Sequence, residues 1–391
     1  MTGEFRTAKG WRIFIYIFSP LLIGLFVWVG FIAFSSGTSN LIVFLILVPV
    51  SLGGTILFIY GLIETIKSRL VIGTNSMSSL SAFGQRTLDF QEIKGFRADS
   101  NYIHIISNSK DKKSIKITAY IEKSAEVLEW LANNFIELDS HEAEQEEQKI
   151  LADNEFGINA QTREYRLSEA RRVAKYINII GGLTCAWLWF YPRPYLISLS
   201  VGMIIPALAF ISLYVYRGLI RFDEKKNSAH PSIIYGFLLP SAGLLIRAIM
   251  DYEILEYKSL WISISIITIT LTFMFIVGTK EIKFKTFLDY FTILSLAGMI
   301  LCYSFGTYAI SNCLFDKSEP EIFKSEVTDK EISSGKSTTY YLTLKPWGPR
   351  TETERVSVTK DEYETTDKGD TVDVYLRQGL LKTPWFYVVT E

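Results

Sequence analysis

The sequence predicts a polytopic α-helical membrane protein of about seven spans. A small β-barrel-plus-helix insert separates the second span from the third, and a small all-β domain closes the chain. Three observations carry this fold class. Seven apolar runs recur along the 391 residues, and a helix needs roughly 20 such residues to cross a hydrocarbon core of about 30 Å. Hydrophobic residues make up 49% and charged residues 21%, with a mean hydropathy of +0.21, a balance that disfavours a soluble enzyme or a disordered chain. Between and after the runs lie short segments rich in β-branched and aromatic residues, separated by turn formers.

The charge balance excludes a further class. With 40 Lys and Arg against 41 Asp and Glu, no global positive field draws in phosphate backbones, so no nucleic-acid partner is expected. Three cysteines exclude a disulfide scaffold and a four-cysteine zinc site.

The runs cover roughly 12–34, 41–63, 177–192, 195–216, 232–250, 260–278 and 290–311. The second carries no charge from Leu41 to Ile63. In lipid each backbone N–H and C=O must pair within its own segment, so such a run is a helix or part of a closed barrel. Barrel strands are shorter and alternate in polarity, which these runs do not. The first run exceeds a secretory signal core, and no small-x-small cleavage site follows it. Residues 1–65 therefore form a transmembrane hairpin and 177–311 a five-span bundle. Tyr191-Pro-Arg-Pro-Tyr195 turns spans three and four into an antiparallel pair, with a re-entrant arrangement of the short third run as an alternative. In 260–278, Ser265, Thr268 and Thr272 share one helical face and are expected to bond to a neighbouring helix.

Lys and Arg flanking the spans set orientation. On one side lie Arg6, Lys9 and Arg12; Lys67 and Arg69; Arg171, Arg172 and Lys175; Arg217, Arg221, Lys225 and Lys226; and Lys280, Lys283 and Lys285. The opposite loops hold none in Ser35–Asn40, then Arg193 and Lys258. The expectation is a multi-pass protein of the inner (plasma) membrane with its N-terminus and the 66–137 insert cytoplasmic and its C-terminus extracytoplasmic.

Within 66–137, strand-like runs at 68–73, 78–83, 86–90, 101–107 and 114–120 precede a helix from about Lys123, with Val127, Leu128, Leu131 and Phe135 on one face. On the first strand near Leu70–Ile72, the phrase DFQEIKGF at 89–96, the strand NYIHIIS and the helix EVLEWLANNF, this insert resembles the bacterial pleckstrin-homology-like (PH-like) domains of membrane proteins. The resemblance covers about 70 residues. It implies a scaffold or oligomerisation module. It does not extend to phosphoinositide binding, because Arg86 is the one basic residue between Leu70 and Asp89.

Residues 138–176 form an acidic linker and a basic juxtamembrane helix. From Glu137 to Glu155 eight acids face Lys149 alone, a solvated helix or, as an alternative, a docking surface for a basic partner. Residues 162–176 carry five basic residues against two acids. Arg163, Arg166, Arg171, Arg172 and Lys175 are candidate contacts to anionic lipid headgroups, worth about 1 kcal/mol each when well placed, or they serve orientation alone.

Residues 318–391 read as a five-strand barrel or sandwich. The segment from Val356 to Phe386, with a Gly-Asp turn before a Val-rich strand and a Gly-Leu hairpin before an aromatic-ended strand, resembles the small β-domains of unknown function found beside spans in bacterial membrane proteins. Tyr340, Tyr341, Trp347, Trp385, Phe386 and Tyr387 fill its core or offer a ligand face.

Chemistry is sparse. His104, His141 and His230 lie at no metal-ligand spacing, and phosphate-loop, dinucleotide and nucleophile-elbow motifs are lacking. No catalytic residue, metal or cofactor is expected, and the reading is of a non-enzyme. Intramembrane charge marks transport paths. The main instance is Arg247 with Asp251 one turn on, read as a structural pair near the membrane boundary or as a gating pair. The expected function is a membrane scaffold, sensor or assembly protein joining the PH-like module to the outer β-domain. Membrane lipid and a protein partner or second copy are its expected companions. A channel or transporter built on 177–311 and a membrane-embedded enzyme are the alternatives.

Overall fold

A computed structural model describes residues 1–35, 41–109, 111–279, 281, 282, 284–334 and 338–390. The expectations that rest on residues 36–40, Lys280 and Lys283 lie outside the described residues. The chain divides into two compact units, 1–146 with 226–228, and 147–225 with 229–391.

The first unit starts with a strand, β1 (Gly3–Arg6), then α1 (Lys9–Ser35) and α2 (Leu41–Lys67). Each helix has 27 residues, about 40 Å at 1.5 Å per residue, enough to cross a bilayer. Small residues let the two approach closely. A Cβ on Gly54 would fall 2.5 Å from the Phe26 ring, and Ser51 Oγ donates to the Phe26 carbonyl at 2.7 Å. Elsewhere the hairpin faces outward. Only 11% and 6% of the apolar stretches of α1 and α2 are buried, which leaves lipid as their main solvent.

The β module follows as β2 (Arg69–Ile72), β3 (Ser76–Ser81), β4 (Gly84–Asp89), β5 (Ile93–Ala98), β6 (Tyr102–Ser107), β7 (Ile115–Thr118) and α3 (Ser124–Asn134). One antiparallel sheet runs β1-β2-β3-β4 and a second runs β5-β6-β7. Alternate residues point inward, so Leu70, Ile72, Met77, Leu88, Ile103, Ile105, Ile115 and Ile117 meet Val127 and Leu131 of α3 in one core. The strand runs read from sequence appear, with β1 and β5 in addition. β1 sits before the membrane hairpin yet pairs with β2 after it, Phe5 opposite Leu70. The pairing is reinforced beyond the strand, where Ala8 N–H donates to the Tyr120 carbonyl at 2.7 Å and Glu122 N–H to the Arg6 carbonyl at 2.7 Å.

The acidic segment is helical, α4 (Leu138–Ala152). Part of its charge is met by the chain itself: Arg97 donates to Asp139 and, at 2.6 Å, to Glu142.

In the second unit, α5 (Ala160–Phe190) is one continuous helix of 31 residues, capped by Asn159, whose Oδ1 accepts from Thr162 N–H at 2.8 Å. The short third run is the C-terminal half of this helix. Then come α6 (Tyr195–Val215), α7 (Ile234–Asp251), β8 (Glu253–Ile254), α8 (Tyr257–Gly278) and α9 (Phe287–Leu314). Among the described residues, seven helices are thus long and apolar enough to cross a membrane. α5 and α7 meet backbone to backbone: a Cβ on Gly181 would lie 2.6 Å from Gly236 Cα. Asn178 fixes their register by donating to the Ser232 carbonyl at 2.7 Å and accepting from Gly236 N–H at 2.8 Å. On α8, Thr268 and Thr272 turn inward, but their hydroxyls have no hydrogen-bond partner, and Ser265 is exposed. The expected polar link to a neighbouring helix is therefore not made.

The tail is mostly β: β9 (Glu321–Ser334), β10 (Thr338–Leu344), β11 (Glu354–Val358), α10 (Lys360–Thr365), β12 (Thr371–Arg377) and β13 (Trp385–Val389). Its sheet runs β11-β10-β9-β12-β13-β8. The long β9 pairs with β12 through its first half and with β10 through its second. Val327, Leu342, Leu344, Trp347, Val356, Val372, Val374 and Phe386 form the core. The sixth strand, β8, comes from the connection between α7 and α8 and pairs with β13, Ile254 opposite Trp385.

Candidate functional site

Asp251 is the last residue of α7 and Arg247 lies one turn before it. Arg247 Nε donates to the Leu188 carbonyl at 2.6 Å and Nη2 to the Trp189 carbonyl at 3.0 Å. Those are among the last carbonyls of α5, which have no partner inside their own helix, and a cation placed there also meets the negative end of the helix dipole. Asp251 Oδ1 is 3.4 Å from Arg247 Nη1, and its Oδ2 accepts from the Tyr195 hydroxyl at 2.7 Å. The pair thus ties the ends of α5, α6 and α7 together. Beside it lie a cavity of about 120 Å³ between Leu188, Gly243 and Arg247 and an open recess of about 600 Å³ between Arg193, Tyr195, Asp251 and Tyr252. Both sit at helix ends.

The juxtamembrane cations divide into two sets. Arg163 donates to Asn154 Oδ1 at 2.8 Å and to the Gly157 carbonyl at 3.0 Å. Arg171 grips both oxygens of Glu147 at 3.0 and 2.8 Å. These two serve the chain's own acceptors. Arg166, Arg172 and Lys175 are exposed.

The most elaborate polar constellation was not singled out in the sequence. At the end of α9, Asn312 is fully buried. Its Nδ2 donates to the Thr383 carbonyl at 2.8 Å, its Oδ1 accepts from Leu381 N–H at 2.9 Å, and its own carbonyl accepts from Leu380 N–H at 2.9 Å. One turn on, Asp316 Oδ2 accepts from Gly379 N–H and from the Trp385 indole, both at 2.9 Å, while Oδ1 accepts from Ser318 N–H at 2.8 Å. Burial raises the Asp316 carboxyl, but these donors hold it below the ordinary carboxylate range. The Tyr308 hydroxyl reaches Thr383 Oγ1 at 3.0 Å. Together these residues read the backbone of the β12–β13 hairpin and clamp it to α9. Gly379 has φ +77°, and a Cβ there would fall 2.5 Å from the Asn312 amide, so only glycine permits the approach.

Another acid held by backbone donors lies in the connection between α8 and α9. Glu281 accepts from Phe222 N–H at 2.8 Å and Asp223 N–H at 3.4 Å. Burial, with the Asp223 carboxylate beside it, pushes its pKa up to about 7.

The tail aromatics divide. Trp347 and Phe386 are core, their rings 4.9 Å apart, and the Trp385 indole serves Asp316. Tyr341 lies under the Arg355 guanidinium at 3.7 Å, Tyr340 packs on Tyr363, and Tyr387 stacks on Tyr375. They do not form one ligand face. Among the described residues no three His, Cys, Asp or Glu side chains converge as a metal site, and Cys185, Cys302 and Cys313 are free thiols. No family model, curated protein or solved structure matches the chain.

Proposed function

We propose that the protein is a non-enzymatic scaffold or sensor of the inner (plasma) membrane, joining a cytoplasmic PH-like module to an extracytoplasmic β-domain and working with a protein partner or a second copy. The observation that carries this reading is the state of Arg247. Arg247 borders a small cavity and an open recess, but its guanidinium is held by the Leu188 and Trp189 carbonyls and by Asp251, whereas a transport path needs a charge free to change partner. The glycine contact of α5 with α7 supports the same reading, because backbones packed that closely leave no lumen between those two helices. The two sheets and following helix of the first unit are compatible with the PH-like resemblance, and the Lys and Arg distribution supports the orientation.

The experiment has two parts. A reporter at the C-terminus should behave as extracytoplasmic and one at the N-terminus as cytoplasmic. The purified protein in liposomes should pass no ions or small solutes. A flux that disappears in Arg247→Leu while the protein stays folded would replace the scaffold with the channel or transporter.

A further inference from the structure

A cavity of about 540 Å³ opens in the first unit where the membrane hairpin meets the β module. It straddles a polarity boundary. Ile15, Tyr60 and Gly61 supply one wall, and they belong to the uncharged stretches of α1 and α2. Glu64, the first charge after the second apolar run, begins the other wall, which continues through Ser68, Ser79, Arg86, Lys116 and Thr118. The polar wall is held in place. Glu64 accepts from Ala82 N–H at 2.6 Å, which ties the β3–β4 turn to the end of α2. Arg86 donates to the Ser114 carbonyl at 3.0 Å, beside the strand that carries Lys116, and Lys116 Nζ sits 3.6 Å over the Tyr102 ring.

Aromatic rings rim the opening. Phe83, at the tip of the β3–β4 turn, is 86% exposed yet stacks on Tyr60 of α2 at 5.1 Å. Trp11, in the first turns of α1, packs on Tyr120 at 4.7 Å. Aromatic side chains at the ends of spans settle at headgroup depth, so the cavity opens at the lipid surface.

We propose that this cavity binds the phosphate headgroup of an anionic glycerophospholipid. Arg86, Lys116 and the hydroxyls of Ser79 and Thr118 face the phosphate, and an acyl chain runs down the Ile15–Tyr60–Gly61 wall. Cations and hydroxyl donors together suit phosphate oxygens. Glu64 is tied to the Ala82 N–H and contributes one negative charge, which the two cations outweigh, so the wall is net positive. The apolar wall distinguishes a lipid from free phosphate, which has nothing to place there. The inference is independent of whether the five-span bundle conducts.

The test uses the full-length protein in a neutral detergent, with native mass spectrometry to count adducts of dioleoyl phosphatidylglycerol, dioleoyl phosphatidylcholine and sn-glycerol 3-phosphate. Phosphatidylglycerol should be retained and phosphatidylcholine lost. Arg86→Gln and Lys116→Gln should each weaken retention about tenfold, whereas Lys360→Gln, at an exposed position of the tail, should leave it unchanged. Gly61→Leu supplies a charge-independent check. A Cβ at Gly61 meets open space and leucine favours the helix, so the variant folds and fills the apolar wall, abolishing retention. Equal retention of both lipids, or full retention by the Arg86→Gln, Lys116→Gln double variant or by Gly61→Leu, overturns the proposal. Glycerol 3-phosphate displacing phosphatidylglycerol at equal concentration overturns the lipid assignment.

Discussion

Replacing Asn312 with alanine should unclamp the β12–β13 hairpin without unfolding the chain. The side chain makes two hydrogen bonds to hairpin backbone, at 2.8 Å to the Thr383 carbonyl and 2.9 Å from Leu381 N–H. Thr383 is 1% exposed and Leu381 43%, so the carbonyl is stranded by the truncation while the N–H has a route to water. A stranded buried group costs about 1–3 kcal/mol and a bond exchanged for water about 0.5–1.5 kcal/mol. Together they give about 1.5–4.5 kcal/mol, or roughly 10- to 2,000-fold in an opening equilibrium. Amide hydrogen exchange at 378–384, measured in detergent, should accelerate by that factor, while β10 and β11 on the other side of the sheet stay protected. Thr328→Ala removes a hydroxyl that donates at 3.0 Å to the Thr343 carbonyl from an exposed position and should leave 378–384 unchanged. Gly379→Ala attacks the same joint from the other side. Because its Cβ would collide with the Asn312 amide, the double variant Asn312→Ala, Gly379→Ala should cost less than the two single changes added. Exchange at 378–384 within twofold of the parent in Asn312→Ala, or strict additivity in the double variant, would refute the clamp.

Three further outcomes follow from the polar groups. Arg247→Gln should lower the thermal stability of the five-span bundle by about 2–4 kcal/mol, since it strands the α5 carbonyls and an acid partner; an unchanged melting temperature in detergent contradicts the end-closing role. Glu281, with its folded pKa raised to about 7, binds more protons folded than unfolded between its ordinary value and 7. Its contribution to stability therefore falls as pH rises through that window, and Glu281→Gln should flatten that part of the pH–stability curve, read by denaturant titration at pH 5 and 8. Asp316 has the opposite sign. Its folded pKa is depressed, so its contribution is present above the ordinary carboxylate range and lost as pH falls below about 4; Asp316→Asn should remove this acid sensitivity from hairpin exchange.

The spans were legible because the bilayer forbids deferred solutions. A backbone in lipid must pair its own groups locally, so the sequence signal for α1, α2 and α6 is contiguous and cannot be overridden from far away. Strands of the insert with alternating burial, such as Arg69–Ile72 and Tyr102–Ser107, were legible for a related reason, since the period of two is a local signal. What stayed hidden was short or defined by its partner. Gly3–Arg6 has four residues and Glu253–Ile254 two, too few for any period, and each is a strand only because β2 or β13 lies alongside. Asn312 sits at the end of an apolar run like many interfacial asparagines, and nothing near it in sequence announces that its partner is Thr383. Arg163 and Arg171 looked equivalent to Arg172 until Asn154, Gly157 and Glu147 were placed beside them.

Those short strands bear on how either unit transmits movement. In the first unit the strand before α1 pairs with the strand after α2, so both ends of the membrane hairpin enter one sheet through backbone hydrogen bonds. In the second unit β8 links α7 and α8 to β13, while Asn312 and Asp316 link α9 to the turn before β13. A domain tied to a span by a single flexible linker averages out a shift of that span. A sheet entered by both helices of a hairpin, or by the joints of three helices, has to follow a shift or break ladder bonds, and a ladder bond lost in a dry setting is expensive. A tilt of α1 against α2 therefore arrives in the β1–β2 register, and a rotation of α9 arrives in the β12–β13 hairpin. This construction suits a protein whose work is to report the state of the membrane helices to whatever binds its sheets.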